Sequence, residues 1–166
     1  IEPKQWWLKD IEFDNVIKNR FEAVLHQAKA GELYHWRATP EGRLAEVIVL
    51  DQFSRNIYRD TPNAFAADPI ALVLAQEAIA LNIDSQLKAK QVPFLLMPYM
   101  HSESLAVHEV AVRLFSREAA KGNLEFEHRH KAIIEQFGRY PHRNEILGRA
   151  STKAEKDFLL QPGSSF

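Results

Sequence analysis

The chain has no cysteine, which excludes disulfides, thiolate metal sites and a cysteine nucleophile. Its net charge is only -1 over 166 residues, so it lacks the basic excess of most nucleic-acid-binding domains. No apolar run approaches the roughly 20 residues of a membrane-spanning helix. No charged leader with an apolar stretch and a small-residue cleavage site is visible, so no secretory signal is expected. No glycine forms an Asn-Gly or Asp-Gly hairpin turn, and apolar residues do not alternate, so strands are not expected. Gly-x-Gly-x-x-Gly and P-loop motifs are missing, which leaves no case for a nucleotide and no cofactor is expected. The Gly-x-Ser-x-Gly elbow of serine hydrolases is missing too.

What remains is helical periodicity. Phe13, Val16, Ile17, Phe21, Val24, Leu25 and Ala28 recur at threes and fours, and Gly31 closes that stripe. Thr39 and Pro40 form an N-cap followed by proline at the first helical position. The helix they open carries Leu44, Val47, Ile48, Phe53 and Ile57, widened by Val49 and Leu50, and is expected to be central. Asp68-Pro69 repeats the start signal, and the run from Ile70 to Ile83 is apolar on most sides, which predicts a buried helix. Pro93 and Pro98 reduce the stretch from Lys88 to Met100 to a short helix and a turn. Ser102 or Ser104 can cap a further helix that ends near Gly122, and Asn123 can cap another that stops at Gly138. Thr152 with Glu155 makes a capping box for a last short helix. Several starts lie about thirty residues apart, which suits either a bundle or a helical repeat.

Three dense polar stretches break this pattern. They are Leu50-Asp51-Gln52-Phe53-Ser54-Arg55-Asn56, Met100-His101-Ser102-Glu103 and Phe137-Gly138-Arg139-Tyr140-Pro141-His142-Arg143-Asn144. In this order, with the closing Pro162-Gly163-Ser164-Ser165-Phe166, they resemble a mostly bacterial uncharacterised family, domain-of-unknown-function family 924. The resemblance covers essentially the whole chain. It implies an all-α fold of the tetratricopeptide-like superfamily, antiparallel helix pairs in a right-handed curved layer, within one domain spanning 1–166. It implies no activity. Asp51, Arg55, Asn56, His101, Glu103, His130, Arg139, His142, Arg143 and Asn144 match the family's pattern. Two features depart from it. An upstream Phe-Trp-Phe segment is missing before Ile1, where Trp6-Trp7 look like the second aromatic cluster, and Ser54 stands where proline is common.

Each polar group has a bland reading beside a sharp one. Asp51 and Arg55 are four apart on one helix face and can form a structural ion pair. Alternatively Arg55 grips an anion that Asp51 orients. His142-Arg143-Asn144 follows Pro141 at a helix-to-loop junction, where turn chemistry and function both favour such residues. Glu103 suits a helix start without any chemistry. A metal held by His101, Glu103, His130 and His142 has little support from spacing, and His-Glu-x-x-His is absent. Arg129, Lys131, Arg139, Arg143 and Arg149 outnumber Glu135 and Glu145 and give the C-terminal third a local basic bias.

The leading expectation is a binding module of the bacterial cytoplasm that takes a small anion or an acidic peptide. Its groove would be lined by Arg55, Asn56, His130, Arg139, His142, Arg143 and Asn144, with no nucleic-acid or membrane partner. A second expectation is a metal-independent hydrolase or lyase that pairs His101 or His142 with Asp51 or Glu103. In a third, the polar residues only hold helices together.

Overall fold

Helix ends in this protein are set by local chemistry. In the computed structural model, which describes residues 9–166, helix α1 (Ile11–Lys29) starts where the Asp10 carboxylate accepts the amides of Glu12 and Phe13. Trp6 and Trp7 lie outside the described residues. Gly31 follows the end of α1 in the left-handed region, at φ +76°, a conformation most side chains disfavour. Ile17, Leu25 and Ala28 face inward, while Val16 stays exposed.

Thr39 Oγ1 accepts the Gly42 amide at 3.1 Å and caps α2 (Pro40–Ile48). A π turn, Val49–Phe53, continues without a break into α3 (Ser54–Ile57). The turn adds a residue to the helical repeat and rotates the apolar face. Leu44 and Val47 enter a core shared with later helices, whereas Val49, Leu50 and Ile57 pack with α1. This continuous helix is therefore central, as its sequence predicts.

Helix α4 (Asp68–Ala80) departs from expectation. Ala71, Ala75 and Ala78 are fully buried, yet Val73 is 61% exposed and Ile70 and Leu81 also face outward. The alanine stripe is what packs against α2 and α5, where the helices approach closely. The Asp68 carboxylate does not cap α4, because it is turned toward Arg55. Helix α5 (Val92–Met100) is likewise more regular than its prolines suggest. Pro93 lies in the first turn, where its missing N–H costs little. Pro98 sits inside the helix, where it removes the amide that would bond the Phe94 carbonyl, yet the helix continues to Met100. Leu95 to Met100 are all buried, and α5 forms the middle of the larger core.

Helices α6 (Leu105–Phe115) and α7 (Leu124–Phe137) stack in turn, α5 on α6 and α6 on α7. Gly138, at φ +67°, ends α7. A 3-10 turn over Pro141–Arg143 and the capped helix α8 (Lys153–Leu159) complete an all-α chain, with no strand among the described residues. No helix among them is long and apolar enough to cross a membrane.

Gly42 supplies a sharp test of the packing. A Cβ there would lie 2.0 Å from the Trp36 carbonyl oxygen and 2.9 Å from Thr39 Oγ1. Glycine to alanine inside a helix ordinarily stabilises by roughly 0.5–1 kcal/mol. Gly42→Ala should instead destabilise by more than about 2 kcal/mol or prevent folding, as read by urea denaturation.

Candidate functional site

The π turn places Asp51 against the far end of α5. Its carboxylate is completely buried. Oδ1 accepts from His101 Nδ1 at 2.8 Å and from Arg55 Nη1 at 3.3 Å, while Oδ2 accepts from the Gln52 amide. Arg55 in turn makes a two-point contact with Asp68, both distances 2.9 Å. His101 lines a cavity of about 350 Å³. Phe65, Pro69, Leu72, Pro98 and Leu147 form apolar walls, and Asp68, Glu103 and Arg143 add charge. Among the described residues the hydrogen bond of the His101 ring is made by Nδ1, and Nε2 makes none.

Burial opposes ionisation of Asp51, but the neighbouring His101 and Arg55 outweigh it and hold the carboxyl below its usual range. For His101 the balance goes the other way. Burial and the Arg55 charge depress its pKa more than Asp51 raises it. A neutral ring whose Nδ1–H donates to a carboxylate carries its lone pair on Nε2. This arrangement can accept a proton from something bound in the cavity. A separate cavity of about 350 Å³ lies by Phe13, Ile48, Phe53 and Phe94, and Lys90 is the titratable residue in its wall.

The family described as bacterial protein of unknown function, DUF924, matches residues 1–163. The chain belongs to the DUF924 family. A solved structure of a protein of unknown function, ATU0120 from Agrobacterium tumefaciens, is 36% identical to it, with a TM-score of 0.90. That match covers 95% of this chain and 89% of the other. No curated protein matches the chain.

Within this DUF924 chain the expected site residues divide into three groups. Asp51, Arg55, His101, Glu103 and Arg143 converge at or directly behind the polar cavity. Asn56 does not join them, since its amide donates to Asp14 at 2.8 Å beside Arg59 and ties α3 to α1. Arg139 is held by Glu155 and the Ala150 carbonyl. Asn144 is fully buried, bonded to Ser151 and Arg149. Glu103 accepts two bonds from Arg149 and the Tyr140 amide. His130 and His142 form a third group with Tyr140 and Phe166, whose ring lies 3.7 Å from His130 and 4.6 Å from His142 between centroids. Among the described residues no three His, Cys, Asp or Glu side chains are placed to hold a metal ion.

Sequence reasoning missed Asp68, which looks only like a helix start, and Tyr140. The Tyr140 hydroxyl donates to the Met100 carbonyl at 2.6 Å and also meets His108. His108 bonds Glu127 at 2.7 Å with both side chains fully buried. His108 and Glu127 are nineteen residues apart, and no local spacing signals their contact.

Burial lowers His142 to about 4 and His130 to about 3. An unfolded histidine takes a proton near pH 6.5, so the unfolded state binds more protons below that pH. The stabilisation from the neutral rings is complete above about 6.5 and is lost as pH falls toward the folded values. Glu103 and Asp14, held below their ordinary range, act in the same direction only at lower pH. Unfolding free energy should drop by up to about 2 kcal/mol per buried histidine between pH 7 and pH 5. His142→Gln should flatten that slope in paired denaturation curves.

Proposed function

We propose that this protein is a metal-independent enzyme, a hydrolase or lyase, acting on a small molecule in the His101 cavity. One observation carries the reading. A buried carboxylate holds the His101 imidazole by Nδ1 in the wall of a largely apolar cavity, and Nε2 has no hydrogen-bond partner among the described residues. His101 would take a proton from water or from an acidic C–H of the substrate. Asp51 would stabilise the imidazolium that forms. In hydrolysis the deprotonated water oxygen adds to the electrophilic carbon, and the imidazolium returns its proton to the leaving group. In elimination the proton leaves carbon as the leaving group departs. Neither route needs a covalent enzyme intermediate.

Binding of an anion by a row of arginines is less well supported. Arg55 and Arg139 each already hold a protein carboxylate at two points. The same reading takes the paired helices as a tetratricopeptide-like layer forming a single domain, and the protein as cytoplasmic.

The direct check is a histidine NMR titration. His101 should titrate below 6.5, and Asp51→Asn should change that value and the ring's tautomer. A His101 midpoint above 6.5 overturns the base role. In a screen of esters, amides and β-substituted acids, activity should rise with pH through the His101 midpoint and then level. His101→Gln, whose amide can still donate to Asp51, should lower kcat by about 10²–10⁴ in a protein that still unfolds cooperatively.

A further inference from the structure

Among the described residues, five arginines that reach the interior are each closed by a carboxylate at two points. Arg37 meets Glu46 at 2.7 and 2.7 Å, and Arg59 meets Asp14 at 2.5 and 2.8 Å. Arg139 meets Glu155 and Arg149 meets Glu103, each at 2.6 and 2.9 Å. Arg55 meets Asp68 at 2.9 Å twice. Arg143 is more deeply buried than any of these, at 5% exposure, and has no such partner. Its nearest carboxylate oxygen, Asp68 Oδ2, is 3.5 Å away and already accepts from Arg55. One donor reaches the His101 carbonyl at 3.1 Å, and Nε is buried with no partner.

A buried guanidinium without a close anion is costly to hold. The flanking rings compensate part of that cost. The guanidinium carbon lies 4.6 Å from the ring centroids of both Phe65 and Tyr140, within the range of cation–π attraction. The rings also hold the group in the wall of the cavity that His101 lines. At about 350 Å³ the cavity falls near the lower end of small-molecule sites, too small for a folded partner.

We infer that Arg143 is the recognition group for substrate, and that the substrate carries a small oxyanion, a carboxylate or a phosphate, held beside His101 Nε2. The inference deepens the proposed function and rests on substrate binding in this cavity. It does not require His101 to act as a base, so the two ideas can fail separately. A bound oxyanion supplies a closer counter-charge than the shared Asp68 oxygen at 3.5 Å gives Arg143 and fixes the substrate's reacting atom near the imidazole. Burial and the nearby Arg55 charge lower the Arg143 pKa, whereas the carboxylates of Arg37, Arg55, Arg59 and Arg139 raise theirs.

The test titrates the full chain, labelled at arginine and histidine, with malonate and separately with inorganic phosphate at constant ionic strength. Saturable shifts at Arg143 Nε and the His101 ring, with a raised His101 midpoint, are expected for at least one probe. Response to malonate alone identifies a carboxylate, and response to phosphate alone identifies a phosphate. Arg143→Gln should weaken binding about tenfold or more, while Lys90→Gln, in the wall of the separate cavity, should bind within about threefold of wild type. Equal binding by Arg143→Gln overturns the inference. So do shifts in the wild-type protein that do not saturate or that fall only on surface side chains, which decides the matter even if Arg143→Gln does not fold. Probe binding as expected with His101 titrating above 6.5 would remove the base role and leave the recognition role standing.

Discussion

Taking the Asp51 carboxylate out of water disfavours its charge unless neighbours restore what water provided. His101, Arg55 and Gln52 do so, and each contact imposes a further one. Arg55 carries its charge into the interior and takes up Asp68 from the first turn of α4. Asp68 is then shared with Arg143 from the turn after α7, and Arg143 returns to the backbone of His101. The result is a closed polar ring through four separate segments. Its members hold charge only together, which explains why polar residues crowd an otherwise apolar helix.

The C-terminal region serves that ring from outside. Tyr140 is anchored by its hydroxyl to the end of α5 and by its amide to Glu103. Arg149 bonds both Glu103 and the Tyr140 carbonyl, and the Thr152–Glu155 capping box leaves Glu155 oxygens for Arg139. These contacts fix the turn that carries Arg143. Many of the motif's conspicuous charges are therefore clamps, and the cavity receives the remainder.

Local chemistry was legible in the sequence wherever one or two adjacent residues decide the outcome. Thr39-Pro40, Gly138 and the Thr152–Glu155 pair mark their helix ends correctly because capping acts within a few residues. The Asp51–Arg55 contact follows from four-residue spacing. Other features depend on partners distant in the chain. Asp68 has the pattern of a cap, but Arg55 is the stronger attractor for its carboxylate. Val73 and Ile70 look like core residues until the alanines opposite them show which face the neighbouring helices can approach. His101 and Asp51 stand fifty residues apart, and periodicity cannot reveal their meeting. Pro98 has the pattern of a breaker, but the residues around it, Leu95 to Met100, are all buried and the packed core holds the helix through it.

The π turn makes the site sensitive to chain length in a way that residue identity does not capture. Ordinary helical geometry advances each residue by about 100°, and the widened turn at Val49–Phe53 absorbs an additional residue within the helix. Removing one residue there would restore regular bonding and make the helix itself more orderly. It would also swing Ser54, Arg55 and Ile57 around the axis relative to Leu44 and Val47, separating two groups that now face different halves of the core. Members of this family should therefore tolerate exchanges of side chains in this segment more readily than a change in its residue count.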